Sequence, residues 1–512
     1  MKIQGKFLAP WTTGEPSTDR LWDRPWRERT VERTRASDLR ASALLSRAAT
    51  ARRFAASLRF DPDTNTRSNY NHATSALHRT LWPIRNCVDL GGRADVRGVS
   101  NEKQMKQPKA AYTLLSTLVL SAVVSTAAQD MAGTRQVYDG TMRPDVEVKT
   151  FAHYDELFPV RTVERGGAAR KLPRARTALK NVYFEAGGKR YDLFDYLGLN
   201  RVAGLLIVKN GEVVLEDYEL GTGPETHWPS YSMAKSVSST LIGAALLDGS
   251  IGSLDDPVTK YVPTLAGGVY EGVSVRNVIQ MASGVKWSET YTDPKSDRRK
   301  LLEIQLQEKP GTILPFMSAL GRAGAPGTIW NYNTGETFVV GAVLEGATHR
   351  PLADYLSEKI WKPWGMEFEA QWQLESPKGM GCAGGGLAAT LRDFGRIGLL
   401  VQADGVIDGK RTVPEGWFDD AGSAKEIGGK AVEYGYLWWT FPKGDDVHDG
   451  AFEARGIFGQ HLYINRKEKV VIAVLSARPK PTGSTVVEDA VFFGAVVKAL
   501  RQPSGPEEIR GP

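Results

Sequence analysis

The chain has 512 residues, 41% hydrophobic and 24% charged, a composition that buries ordinary globular cores and excludes a fibrous or wholly disordered protein. Its formal charge of +6 is unevenly placed: residues 1–104 hold 19 Lys+Arg against 11 Asp+Glu, and the rest hold 46 against 48. Beyond residue 104 there is no basic footprint for a polyanion, so nucleic acid is excluded as a partner.

Residues 1–104 carry sixteen arginines and no sustained period of 3.6 or 2, which reads as a basic disordered segment or as sequence outside the natural product. Met105 then opens MKQPKAAYTLLSTLVLSAVVSTAAQD. Lys106 and Lys109 make a positive n-region, Ala110 to Val124 an apolar h-region, and Thr126-Ala127-Ala128 a small-residue cleavage site. Residues 105–128 are expected to be a secretory signal peptide, with Met105 as the true start. The product is then periplasmic or secreted, and the h-region is too short to serve as a stable membrane anchor.

Residues 129–190 read as an N-terminal leader segment with Pro and Arg punctuation and no assignable chemistry. A single domain is expected over 191–505. Near its start, RVAGLLIVKNGEVVLEDYEL sets two apolar strands around Asn210-Gly211, both of which tolerate positive φ. Near its end, QHLYINRKEKVVIAVLSA reads as a second strand pair around Asn465 to Lys467, and EDAVFFGAVVKAL as a closing helix. Strands at both ends of a helix-rich middle predict a sheet assembled from distant parts of the chain, an α+β layout.

Three stretches carry chemistry. In HWPSYSMAKSVSSTLIGAALLDGS, a buried helix is expected from Ser232 to Leu247, ending near Asp248-Gly249. Ser232 and Lys235 lie three apart in its first turn and share a face. A serine hydroxyl needs an adjacent base, and a lysine serves if burial leaves its amine neutral. The helix N-terminus offers the Ser232 N–H to a developing oxyanion. Ser-x-x-Lys also occurs at Ser100–Lys103, and a capping serine before a solvated lysine has the same letters.

In GAPGTIWNYNTGETFVVGAVLEGA, Tyr332 and Asn333 sit on a turn ahead of a helix, where a phenol can relay protons; the plain alternative is a satisfied core tyrosine. In EARGIFGQHLYINRKEKVVIAVLSA, a Gly-rich approach to an edge strand can meet a substrate through main-chain hydrogen bonds, or be an ordinary turn. Two cysteines, Cys87 and Cys382, and seven histidines without HExxH spacing argue for no disulfide framework, no metal and no cofactor.

The order of these pieces, with the phrases SVRNVIQMASGVKW and GGGLAATLRDFGRIGLL, resembles the serine β-lactamase and penicillin-binding-protein superfamily from about Val202 to Leu500. More narrowly it is similar to the class C β-lactamase-like serine hydrolases, including family VIII esterases and 6-aminohexanoate-dimer hydrolases. The resemblance implies a β-lactamase/transpeptidase-like fold, a central antiparallel sheet flanked by helices with a mostly helical second region. It implies Ser232 as nucleophile, Lys235 as base and Tyr332 as the tyrosine of the family's Tyr-x-Asn.

Here the sequence reads Tyr332-Asn333-Thr334, with the amide one place early, and Asn333 stands as a substrate-binding candidate. The family's Lys-Thr-Gly or His-x-Gly becomes Ala454-Arg455-Gly456, with Gly456 and Ile457 expected at the oxyanion and substrate. Lys480-Pro481-Thr482-Gly483 follows the strand instead of opening it. The phrases SGVKWSETYTDPKSD and Gly456 to Gln460 look most similar to the 6-aminohexanoate-dimer branch, whose second pocket tyrosine matches Tyr291; a surface-loop tyrosine is the alternative.

The expected function is a secreted serine hydrolase that cleaves small-molecule esters or amides through an acyl-serine. A β-lactamase or DD-peptidase is the second reading, and it needs a carboxylate-binding cation, which Arg455 supplies only if it points inward. A non-catalytic binding protein on the same fold is the third. The oligomeric state is not legible, and Cys382, in the turn GMGCAGGG, lies either near the site or simply in the core.

Overall fold

The computed structural model describes residues 132–442, 444 and 446–501. The basic segment 1–104 and the signal segment 105–128 lie outside the described residues.

In chain order, the elements that frame the site begin with helices α1 (Thr134–Asp139) and α2 (Pro144–Ala152), then strands β1 (Val160–Val163), β2 (Val202–Lys209), β3 (Glu212–Tyr218) and β4 (Trp228–Pro229). Helices α3 (Met233–Leu247), α4 (Asp297–Gln305) and α5 (Thr334–Thr348) follow, then strands β5 (Ala370–Gln373) and β6 (Leu387–Ala389) and helix α6 (Leu391–Gln402). Strands β7 (Trp439–Thr440), β8 (Ala451–Gly456), β9 (Gln460–Asn465) and β10 (Val470–Ser476) lead to helix α7 (Asp489–Arg501).

The main sheet has six antiparallel strands in the order β7-β8-β9-β10-β2-β3. Its seam is the pairing of β10 with β2, Ala473 opposite Leu206, which joins the two ends of the domain as the strand pattern predicts. Asn210 (φ 54°) and Gly211 (φ 82°) make the expected tight turn between β2 and β3.

Strand β2 is apolar in both parities because both faces are covered. Leu206 and Val208 face the larger core, which includes Leu241 of α3 and Phe394 of α6. Leu205 and Ile207 face a second core with Phe492, Phe493 and Val496 of α7.

A second antiparallel sheet has the order β1-β5-β6-β4, and its last strand leads into the turn that opens α3. Its edge strand β4 pairs with β6, and the Ser230 N–H continues the ladder to the Leu387 carbonyl at 2.8 Å.

The structure draws no boundary at residue 191. The leader from residue 132 onward belongs to the same compact unit as the rest of the described chain. Strand β1 finds its partner in β5, some 200 residues away, and Phe151 and Tyr154 are buried in the larger core. Two short helices and a four-residue strand carry too little periodicity to be read without those partners. Among the described residues no helix is long and apolar enough to cross a membrane.

Candidate active site

The site is built on the turn from β4 into α3. Tyr231 takes a left-handed φ of 45°, rare for an aromatic residue, and reverses the chain so that Ser232 opens the helix. The Ser232 side chain makes no capping hydrogen bond, so the helix-cap alternative is not the arrangement present. Its hydroxyl instead accepts from Lys235 Nζ at 2.9 Å.

Ser232 is partly exposed, whereas Lys235 is 1% exposed, in the first turn of an apolar helix. Burial lowers the Lys235 pKa to about 7, against the attraction of the Glu289 carboxylate and with the help of the Arg298 cation. A large share of the side chain is therefore free amine at neutral pH, within reach of a hydroxyl proton.

Lys235 Nζ also donates to the Gly384 carbonyl at 2.6 Å. A Cβ on Gly384 would lie 1.7 Å from Thr337 Oγ1, so only glycine brings that carbonyl to the amine. Sequence reasoning missed this residue; its one signal was the Gly384-Gly385-Gly386 run, which has no obvious turn role. Cys382, two residues earlier, is buried against Gln305 Nε2 at 3.6 Å, and burial pushes its thiol up, away from reactivity. It lies beside the site without entering it.

Tyr332 is half-buried, its ring stacked on Trp439 at 5.5 Å and 5.2 Å from Lys235 Nζ. Burial holds its phenol protonated well above its usual range. Ser232, Lys235 and Tyr332 are thus brought together.

Asn333 is not part of that group, which corrects the expectation from sequence. It is fully buried and caps α5: Oδ1 accepts from the Glu336 N–H at 3.1 Å, and Nδ2 reaches Glu336 Oε1 at 3.4 Å. Both ends of the amide are taken inside the fold. Asn followed three residues later by Glu is itself a helix-start pattern, and that signal was present in the sequence.

Tyr291 is half-buried, not a free surface residue. Its ring lies nearly parallel to Tyr138 of α1 at 6.4 Å, and burial together with the nearby Glu289 charge raises its phenol pKa. Glu289 in turn accepts from the Thr334 N–H at 3.0 Å, which ties the Tyr291 loop to the start of α5 beside Tyr332.

On the opposite side, β8 ends against the nucleophile turn. A Cβ on Gly456 would lie 2.3 Å from the Ser230 carbonyl, so glycine is needed for this approach. Ile457 follows, with its carbonyl held by Gln460 Nε2 at 3.2 Å. Neither the Ser232 nor the Ile457 N–H is taken among the backbone hydrogen bonds of the described turns and loops, and the two donors lie next to the Gly456–Ser230 contact in sequence.

Arg455 shares a strand face with Glu453, two residues away, and its Nε donates to Glu453 Oε1 at 2.5 Å. Its guanidinium lies 5.3 Å from the Trp439 ring. The cation is thus already paired with a carboxylate. Lys480 to Gly483 follows β10 as expected, and the Pro481 carbonyl accepts from the Phe458 N–H at 3.1 Å.

A neutral amine, a partly exposed serine, a protonated phenol and two free N–H donors can carry out acyl transfer. The beta-lactamase family profile matches residues 200–492, the span that contains all of them. The chain belongs to the beta-lactamase family.

Among its relatives, the 6-aminohexanoate-dimer hydrolase of Paenarthrobacter ureafaciens is 30% identical over 347 residues, 65% of this chain and 85% of that one. The D-aminopeptidase of Brucella anthropi is 30% identical over 177 residues, 31% of either chain. A solved structure from Bacillus anthracis, described as a 6-aminohexanoate-dimer hydrolase, matches with a TM-score of 0.62 at 23% identity, over 70% of this chain and 95% of that one. The beta-lactamase-family fold, antiparallel sheets with packed helices, is the one the strand and motif order implied, and the chain is a serine hydrolase of this family.

Proposed function

We propose that this serine hydrolase is an exported enzyme that cleaves small esters and linear amides through an acyl-Ser232 intermediate. The observation that carries the reading is the 2.9 Å contact between the buried Lys235 amine, its pKa brought down to about 7, and the partly exposed Ser232 hydroxyl. Export rests on the signal-peptide anatomy of residues 105–128. Amide substrates are favoured by similarity to the 6-aminohexanoate-dimer hydrolase.

In this mechanism Lys235 takes the Ser232 proton as Oγ attacks the carbonyl carbon. The N–H groups of Ser232 and Ile457 hold the oxyanion, each worth roughly 3–4 kcal/mol in comparable sites. The phenol of Tyr332 passes a proton to the departing alkoxide or amine. Water then attacks the acyl ester with the same groups in reverse roles, and the acid leaves. The Nε of Arg455 is already held by Glu453, so its charge is partly neutralised before any substrate carboxylate arrives.

The test is turnover of p-nitrophenyl acetate and of a short-chain acyl p-nitroanilide by wild type and Ser232→Ala, with intact-mass detection of the acyl adduct. The expected result is turnover and an adduct in wild type and neither in the variant. Full hydrolysis by Ser232→Ala would overturn the assignment.

A further inference from the structure

The two free N–H donors of the site are each followed or preceded by a strained aromatic residue. Tyr231, before Ser232, has φ 45°, and Phe458, after Ile457, has φ 64°. An L-residue held in this region persists only where its surroundings over-determine it. Here the surroundings include each other, two further rings, and backbone hydrogen bonds that hold Phe458 to Pro481 at 3.1 Å and to Arg478 at 3.2 Å. Tyr231 and Phe458 pack at 5.2 Å, and Phe151 of α2 meets them edge-on at 5.5 Å and 5.1 Å.

All three rings are buried, Phe151 completely. Phe151 also meets Trp228 of β4 at 5.5 Å, on the strand that delivers the nucleophile turn. Its neighbour in the leader, Tyr154, packs on Tyr231 at 6.0 Å and donates to Gln373 Oε1 at 2.8 Å, beside the Gly384–Gly386 turn. The polar counterpart is Gln460, which holds the Ile457 carbonyl and the Ser476 carbonyl from the other side.

The donors themselves sit on different elements, one at the start of α3 and one after β8. The close contact of Gly456 with the Ser230 carbonyl sets one side of their separation. Something must set the other. Phe151 lies in residues 132–190, outside the 200–492 span of the family match, and no chemistry was assigned to that segment.

We propose that Phe151 is a positioning residue of the oxyanion site, wedged against Tyr231 and Phe458 so that the Ser232 and Ile457 N–H groups converge on one point. The inference rests on the acyl-Ser232 mechanism proposed above. Without the wedge, Tyr231 and Phe458 relax toward ordinary backbone angles and carry the adjoining peptide planes with them. The loss falls on the tetrahedral state, where the oxyanion is fully formed, and spares ground-state binding.

The experiment uses the full chain as wild type, Ser232→Ala, Phe151→Ala and Phe151→Leu. For each, kcat and KM are measured on p-nitrophenyl acetate, together with inhibition by phenylboronic acid, whose boron accepts the Ser232 oxygen to form a tetrahedral adduct. For Phe151→Ala, kcat is expected to fall roughly 10- to 100-fold with KM within about twofold, and the boronic acid to weaken by the same factor. Phe151→Leu, which retains bulk, recovers part of both; if Phe151→Ala does not fold, Phe151→Leu alone must show parallel losses in kcat and boronic-acid affinity.

A kcat loss with unchanged boronic-acid affinity would mean a smaller folded fraction and overturns the proposal. So does a folded variant with wild-type kcat. Wild type that turns over no better than Ser232→Ala would overturn the acyl-serine reading and this proposal with it. An active wild type with an unaffected Phe151→Leu and Phe151→Ala would overturn the proposal alone.

Discussion

Lys235 Nζ lies 2.6 Å from the Gly384 carbonyl, closer than its 2.9 Å contact with Ser232 Oγ. The carbonyl takes one N–H of the amine and so fixes the nitrogen beside the serine oxygen. The same buried setting that removes water from the amine supplies this single anchor in its place.

The first consequence is a pH profile. Burial brings the Lys235 pKa to about 7, so the free-amine fraction rises as pH passes upward through that value. On the proposed mechanism kcat/KM for p-nitrophenyl acetate climbs about tenfold per pH unit below this limb and levels above it. An acid limb near pH 4–5, the ordinary carboxylate range, would assign the base to Glu or Asp instead.

Gly384→Ala should break the anchor. The new Cβ would meet Thr337 Oγ1 at 1.7 Å and lie 3.4 Å from Lys235 Nζ, so the turn must move. We expect kcat to fall by roughly two orders of magnitude, as misplacement of about an ångström does elsewhere. Adding Thr337→Ala removes the nearest clashing atom and should restore part of the rate. A single variant with wild-type kcat would show that the carbonyl does not orient the amine.

Tyr332→Phe keeps the ring stacked on Trp439 at 5.5 Å and removes only the proton relay. The expected loss is roughly 10²- to 10⁴-fold in kcat, with the acid limb still near that of Lys235. Rates on amide substrates should suffer more than on p-nitrophenyl esters, because an amine leaving group needs the proton and a nitrophenolate does not. Equal losses on both would argue for a role in activating Ser232.

Behind β8, His461 bridges Glu453 at 2.9 Å and Asp489 at 3.2 Å. Burial works against the imidazolium, but the carboxylates of Asp489 and Glu453 outweigh it and raise the His461 pKa. A histidine with a raised native pKa contributes stability that is full below its unfolded value, about 6.5, and lost as pH rises through the native one. The Tm advantage of wild type over His461→Gln should therefore shrink as pH rises through that window. An advantage that stays constant or grows there would refute the bridge.

How much of this was legible depends on distance along the chain. Ser232 and Lys235 lie in one helical turn, so local geometry alone puts them on a shared face, and the Asn210-Gly211 turn is equally local. Asn333 was misread although its capping partner stood three residues away, because the amide of an expected Tyr-x-Asn and the amide of a helix cap have the same letter. The choice was made by the start of α5, which buries the side chain completely.

By itself, then, the sequence determined the strand and helix order, the hydrolase family and the placing of Ser232 and Lys235 on one helical turn, since each is written in contiguous residues or in their order. Tertiary structure alone decided that Gly384, 149 residues from Lys235, meets the amine, that Arg455 is paired with Glu453, and that Phe151 packs on Tyr231 beside Ser232. Those contacts join segments far apart in the chain, and which side chains meet there is set by how two sheets and the leader pack, a property no local spacing encodes.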